Sequence, residues 1–292
     1  MGTAPEPTVS AVVVSFNSRD CLPDCVRSLR SEGVADIVVV DNASSDGSVE
    51  AVQATDHDVK IVATGANLGY GSGANRGVEA ATGDLVLIMN PDTVVEPGTV
   101  KALTAALERD PGLGAVGPRI ENVDGTLYPS VRRFPELGVA TGHAFVGLVW
   151  AGNPFTRRYR MLDLDHGTPA ADVDWVSGAC VLVRRSAFEM VGGFDEAYFM
   201  YVEDVDLCWR LGQAGWRVGF ESEGRVVHAL GASSRTTPYR MIAAHHRSLM
   251  RFASKTRTGR GRVLLPVVAV GLGARTGAAW LHHALGHLRR MP

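Results

Sequence analysis

The chain opens on short apolar runs separated by stretches of helical period. Val9 to Phe16 is apolar and β-branched, and Ile37 to Val40, Lys60 to Ala63 and Leu85 to Met89 repeat that character. Between the first two, Cys21 to Arg30 sets Leu22, Val26 and Leu29 on one helical stripe. A helix is expected to start near Ser45 and Asp46, which are good N-cap residues, and Asn75 to Ala81 and Gly98 to Arg109 predict further helices. Ala115 to Ile120 and Trp175 to Arg184 read as strands, Ala197 to Gly212 contains a helix, and Arg217 to Glu221 and Arg225 to His228 read as short strands. Strands apolar on both faces, alternating with helices, predict an α/β fold with a mostly parallel, Rossmann-like sheet and helices on both faces. From Tyr239 onward the pattern is helical and basic, so a C-terminal helical segment is expected after the sheet.

In such sheets ligands bind beyond the carboxyl ends of the strands. Those positions hold Ser15, Asn17, Asp41, Asn42, Gly65, Asn67, Asn90 and Asp92, nearly all polar or Gly. Two readings fit Asp41: a carboxylate accepting the imide N–H of uracil or thymine, or the first residue of the turn that runs to Gly47. Asn67 to Arg76 is a glycine-rich turn into a helix, a form that can present backbone amides to phosphates. Gly69 to Ala74 also satisfies the G-x-G-x-x-A pattern, and Asp92 follows about 20 residues on, which keeps an NAD-dependent oxidoreductase as the alternative function. Against it, two strand–helix units precede the turn.

Asn90-Pro91-Asp92 closes the fourth strand. Pro91 forbids a continuing ladder, and Asp92 is then an outward oxygen ligand or an N-cap for Val100 to Leu107. Glu203, Asp204 and Asp206 follow the aromatic run Phe199 to Tyr201. Burial there raises a carboxyl pKa toward a general-base value, and acids also suit a helix start. His228 ends a strand and reads as a metal ligand or as a satisfied polar residue.

Composition adds limits. The 292 residues are 46% apolar, enough for a full core. A net charge of −2 gives no pull toward nucleic acid, and none is expected as a partner. The charge is uneven: Arg247, Arg251, Lys255, Arg257, Arg260 and Arg262 occur without an acid among them, as on a solvated face or one that meets anionic lipid. Cys21, Cys25, Cys180 and Cys208 lack zinc or C-x-x-C spacing and read as buried thiols in a reducing cytosol. No signal sequence and no apolar run of roughly 18–20 residues is found, so the expectation is a cytoplasmic chain, soluble or peripheral to a membrane. Between Asn122 and Asp174 prolines break the pattern, and Arg132-Arg133-Phe134 and Arg157 to Arg160 stand out, as an acceptor-shaping region or a plain surface loop. Ala278 to Arg290 places Trp280, Leu281, Ala284, Leu285 and Leu288 opposite His282, His283, His287, Arg289 and Arg290. That pattern fits a helix on a membrane surface, or one packed on the domain or on a second subunit in a homodimer.

Together these residues resemble the GT-A family 2 glycosyltransferases. The runs are Val13 to Asn17, Val39 to Asp46, Asn67 to Gly71, Met89 to Asp92, Trp175 to Ala179, Gly193 to Glu196 and Tyr198 to Arg210, in the family's order over roughly residues 9–235. Within the family, Gly65 to Gly71, Tyr198 to Tyr201 and Ala243 to His246 are similar to rhamnosyltransferases. The resemblance implies a GT-A catalytic domain over 1–238, with a donor half at about 9–120 and an acceptor half at about 121–238, then a basic helical segment over 239–292. It implies that Ser15, Asn17 and Asp41 hold the nucleoside, and that Asn67, Gly69 and Asn75 line the donor. Asn90 and Asp92 stand where the family has Asp-x-Asp, so one carboxylate is left for Mn2+ or Mg2+, with His228 as a second ligand. Asp204, beside Glu203, is implied as the base, and Trp175, Ser177 and Gly178 as the acceptor face. The implied reaction is an inverting transfer, L-rhamnose from dTDP-rhamnose to a polyprenyl-diphosphate-linked sugar acceptor, at the inner face of the cell membrane in cell-wall linker synthesis.

Overall fold

The computed structural model describes residues 6–134, 172–229, 238–257 and 259–273, with residues 150, 152–154, 157, 161, 167–169 and 276–277. The run 158–160 and the amphipathic stretch 278–290 lie outside the described residues. Strands β1 (Val9–Ser15), β2 (Asp36–Asp41), β3 (Lys60–Ala63) and β4 (Leu85–Met89) alternate with helices α1 (Leu22–Ser31), α2 (Ser48–Thr55) and α3 (Tyr70–Ala80). They make the parallel block β3-β2-β1-β4. The sheet continues through β10 (Cys180–Arg184), β6 (Leu113–Asn122), β11 (Arg217–His228) and β5 (Thr93–Val95). Here it is mixed: β10 runs antiparallel to β4 and β6, β11 parallel to β6, and β5 antiparallel to β11. β7 (Leu127–Tyr128) pairs with β6, while β8 (Val131–Arg132) and β9 (Trp175–Val176) form a separate small ladder.

The apolar runs alternate between two buried faces, as a pleated strand must. Val12, Val14, Val38, Val40, Val86 and Ile88 pack on the side of α3. Ala11, Val13, Ile37, Val39, Leu85, Leu87 and Met89 pack on the side of α1 and α4 (Thr99–Arg109). Each such side chain contributes roughly 1.5–3 kcal/mol when fully buried.

Several elements depart from the sequence expectations. α3 begins at Tyr70, five residues before Asn75, although glycine disfavours helix. Packing outweighs propensity there: a Cβ on Gly77 would lie 2.3 Å from Val12 and 2.8 Å from Val40. The expected strand Trp175 to Arg184 is two strands, parted by a turn at Ser177–Ala179. The two short strands expected after Arg217 are one, with an irregularity between Glu221 and Arg225. α2 takes Gly47 as its N-cap, while Asp46 accepts the Ser48 N–H at 3.0 Å.

α5 (Arg185–Met190) and α6 (Glu203–Gln213) follow β10, and α7 (Pro238–Thr256) follows β11. The described part of α7 packs against the sheet-bearing part of the chain. Phe252 on α7 is buried in the main core, 6.4 Å from the Phe134 ring and 6.5 Å from Trp209. Two cations of the basic segment also turn inward. Lys255 Nζ lies 2.8 Å from Asp206 and 2.9 Å from Asp195, and Arg251 lies 3.1 Å from Asp195. Among the described residues no helix is long and apolar enough to cross a membrane.

Candidate active site

The carboxyl ends of β1, β2, β4 and β11 lie on one edge of the sheet, and the amino end of the antiparallel β10 joins them through the Cys180–Met89 pairing. Polar side chains collect there in three groups.

The first group is built by β5. Pro91 stops the β4 ladder, the chain turns, and Thr93 pairs with His228 across β5 and β11. That register brings Asp92 and His228 together over 136 residues of sequence, with His228 Nε2 3.1 Å from Asp92 Oδ1 and 3.5 Å from Asn90 Nδ2. Both side chains are nearly buried, and the Tyr128 ring meets the imidazole edge-on at 5.5 Å. The donor set fits a divalent cation: cis ligands on an octahedral ion with bonds of about 2.1 Å stand about 3 Å apart. Among the described residues no third His, Cys, Asp or Glu completes a cage, which leaves positions for a ligand's oxygens and water. His228 Nδ1 is buried with no hydrogen-bond partner. Asp92 is not an N-cap, because β5 intervenes and Gly98 caps α4.

The second group stands at the start of α6. Tyr201 (φ 66°) and Val202 (φ 72°) are left-handed, a conformation that costs on the order of 1–3 kcal/mol per non-glycine residue and survives only where neighbours enforce it. The neighbours are specific. Tyr70 N–H donates to Phe199 O at 3.1 Å, Ser248 Oγ donates to Met200 O at 3.0 Å, and the Tyr201 ring packs on His245 at 5.4 Å. Asp206, fully buried, holds Arg210 at 2.7 Å and Lys255. The strained loop therefore delivers Glu203 and Asp204 in a fixed pose.

The two carboxyls have different surroundings. Burial, with the Asp204 charge added, pushes Glu203 up to about 8, and its Oε2 has no partner. Burial also raises Asp204, but opposing contacts limit that rise. Asp204 Oδ2 accepts Gly178 N–H at 2.9 Å, Oδ1 accepts Val205 N–H at 2.8 Å, and the Arg132 charge favours the anion. Glu203 is thus held neutral by burial, while Asp204 receives two backbone N–H groups that favour its charged form. Tyr70, which sequence reading missed for want of any periodic signal, links the groups. Its buried hydroxyl donates to Gly178 O, and burial and then Glu203, Asp204 and Asp92 raise its pKa.

The third group follows β1 and β2. Asn17 (φ 51°) and Ala43 (φ 65°) are again left-handed. Asn17 Oδ1 accepts Ser45 N–H at 2.9 Å, Asn17 N–H donates to Ser44 Oγ at 2.9 Å, and Asp41 receives Ser44 N–H at 3.1 Å. Ser15 Oγ is buried without a partner.

Other singled-out residues are occupied with the protein itself. Asn75 brackets Phe194, accepting its N–H at 2.8 Å and donating to its carbonyl at 2.9 Å. Trp175 is buried and gives its indole N–H to Arg133 O at 2.9 Å, while Ser177 Oγ accepts Ala179 N–H at 3.3 Å. Asn67 Oδ1 accepts Gly69 N–H at 3.0 Å.

The glycine-rich turn is not a dinucleotide cradle. It opens the third helix rather than the first, and protein fills the space its glycines leave. A Cβ on Gly69 would lie 2.1 Å from Phe199 O, and one on Gly73 2.9 Å from Val14. The oxidoreductase alternative fails on that packing.

The chain that builds this sheet and its three polar groups is matched by the family model described as Glycosyl transferase family 2 over residues 10–192, and it belongs to that family. It is 41% identical over 249 residues to an N-acetylglucosaminyl-diphospho-decaprenol L-rhamnosyltransferase of Mycobacterium tuberculosis, covering 82% of this chain and 80% of that one. A rhamnosyltransferase of Escherichia coli (strain K12) is 27% identical over 198 residues, 64% of this chain and 72% of that one. Among solved structures, a mannosyltransferase of Pyrobaculum calidifontis in complex with GDP-Man and Mn2+ superposes with a TM-score of 0.61 at 19% identity, covering 97% of this chain and 81% of that one. The chain is thus a glycosyltransferase with the GT-A fold.

Proposed function

We propose that the protein transfers L-rhamnose, with inversion, from dTDP-rhamnose to a sugar carried on a polyprenyl diphosphate. The observation that carries this is the arrangement at the sheet edge: Asp204 oriented by Gly178 N–H in one group, and the Asp92–His228 pair in another. The 41% identity to the mycobacterial enzyme supports the sugar and the acceptor class.

In this reading Asp204 takes the proton from the acceptor hydroxyl as that oxygen attacks the anomeric carbon. The bond to the nucleoside diphosphate breaks on the opposite face, so no covalent enzyme intermediate is needed. Glu203, neutral and buried, keeps a second negative charge away from the base. Ser15, Asn17 and Asp41 hold the nucleoside; Asn67, Gly69 and Asn90 shape the donor side. Asn75 and Trp175 act as struts rather than as ligand contacts, and Gly178 and Ser177 shape the acceptor side. Asp92 and His228 would hold Mn2+ or Mg2+, which when bound neutralises charge on the departing diphosphate.

The reaction takes place at a membrane surface. The helical turns over 259–273 leave Val263, Leu264, Val267 and Val270 exposed, with exposed Arg262 on the same segment, exposed Arg247 on α7, and no acid in the sequence after Glu223. Exposed apolar side chains in a stretch whose charges are all positive suit an anionic bilayer. The test is turnover of a panel of nucleoside diphosphate sugars with a short-chain polyprenyl diphosphate acceptor, product anomer read by NMR. Preferred turnover of another sugar, or a retained anomer, overturns the assignment. Val263→Asp/Val267→Asp should pellet less with anionic liposomes than the unaltered chain, and equal pelleting would sink the membrane surface.

A further inference from the structure

Arg132 and Arg133 are neighbours in sequence but not in circumstance. Arg133 is paired with Asp174 at 3.4 Å. Arg132 has no carboxylate partner among the described residues. Its Nε donates to Pro129 O at 3.0 Å, and its guanidinium lies over the Trp175 ring, 5.1 Å from the centroid. The indole beneath is itself fixed by its bond to Arg133 O. A half-exposed cation has thus been given a rigid aromatic seat and a backbone anchor, while its Nη donors have no partner among the described residues.

Its position is informative. The β8–β9 register places Arg132 opposite Trp175, and three residues on from Trp175 is Gly178, whose N–H orients Asp204. The positive charge reaches the base, where it opposes part of the rise that burial gives the Asp204 pKa. In an inverting displacement the base and nucleophile stand on one face of the reacting carbon and the leaving diphosphate on the other. Asp92 and His228 serve the leaving side, so a preset guanidinium on the base side faces the acceptor. A sugar linked through diphosphate carries its charge one ring width from its hydroxyls, and planar guanidinium is suited to phosphate oxygens in a two-point contact.

We propose that Arg132 is the binding site for the acceptor's diphosphate, and that this contact aims the acceptor hydroxyl at Asp204. This rests on the reading of the protein as a transferase with a diphosphate-linked acceptor. Two acceptors separate the ideas: the N-acetylglucosaminyl diphosphate of a short polyprenol, and the neutral octyl β-glycoside of the same sugar. At saturating donor, Arg132→Gln should lower kcat/KM for the diphosphate acceptor about 10- to 100-fold, mainly through KM. The preference for charged over neutral acceptor should collapse, while donor KM moves less than twofold. Arg132→Lys keeps charge and stem and should recover part of the loss; it also serves if the Gln variant fails to fold. A retained preference in both variants overturns the assignment, as does a rise in donor KM, which would move the contact to the donor's diphosphate. Wild-type protein inactive on both acceptors sinks the function reading, and this inference with it.

Discussion

Gly69→Ala tests how tightly the base is tied to the donor turn. Gly69 has φ 88° and ψ 174°, a region that side-chain-bearing residues avoid at a cost of about 1–3 kcal/mol. The new Cβ would sit 2.1 Å from Phe199 O, and real contacts do not fall below 3.0 Å, so the carbonyl must retreat by 0.9 Å or more. That motion strains the Tyr70 N–H···O Phe199 bond, worth about 1 kcal/mol. Together the terms amount to about 2–4 kcal/mol, or a Tm lowered by about 4–12 °C at roughly 2–3 °C per kcal/mol for a chain of this size. Phe199 also leads through Tyr201 and Val202 to Asp204. A displacement near 1 Å there should cost about 100-fold in kcat. Gly33→Ala is the control: φ is 81° but nothing lies within 4 Å, so it should lose stability without losing turnover. Scanning calorimetry and steady-state kinetics read both effects. A Gly69→Ala enzyme with wild-type kcat would refute the coupling, whatever its Tm.

Asp204→Asn should lower kcat by about 10²–10⁴ while nucleotide binding by calorimetry is kept; near-normal turnover would remove Asp204 as the base. His228→Ala should raise the Mn2+ concentration for half-maximal activity at least about tenfold, since loss of outer-sphere partners alone has effects of that size; an unchanged metal titration would count against His228 as a ligand. Glu203→Gln should change stability in a pH-dependent way. The folded pKa, about 8, lies above the unfolded value near 4.3, so wild-type stability is full at acid pH and drains as pH rises through 8. The variant's Tm should therefore gain on wild type between pH 5 and 9, and a pH-independent difference would contradict a buried neutral Glu203. Lys255→Met leaves the buried Asp206 with one cation, Arg210, beside the Tyr198 hydroxyl, and should cost about 1–3 kcal/mol in urea unfolding and lower kcat more than it raises donor KM; unchanged kcat would uncouple α7 from the base.

The donor half was legible because its code is local. Unbroken β-branched runs and the polar residues ending them specify strands and edge groups within a few residues, so Asp41 and Asn90-Pro91-Asp92 could be placed from sequence. What was illegible depends on distant partners. β5 is three residues long and exists through its pairing with β11, so local pattern did not join His228 to Asp92, and only the family resemblance did. Glycine's poor helix propensity hid the start of α3, which is decided by Val12 and Val40. The three acids at 203–206 looked alike in sequence. Contacts assign Glu203 to burial, Asp204 to Gly178, and Asp206 to a helix some 50 residues on. The basic run read as a face for anions gave Arg251 and Lys255 to internal carboxylates instead, pulling Asp195 down to about 2 against the effect of its burial.

The pairing of Thr93 with His228 also sets an order of events during synthesis. Chains are made from the N-terminus, and α/β units can form as they emerge. Here β1 to β4 and the nucleoside edge can assemble early, but Asp92 has no histidine beside it until the last strand has been translated and has closed against β5. On the proposed roles, a chain stopped short of residue 228 keeps the nucleoside edge but lacks the Asp92–His228 pair. On the same roles, activity waits for β11 to close against β5 and for α7 to brace the Glu203–Asp204 loop through Ser248 and Lys255.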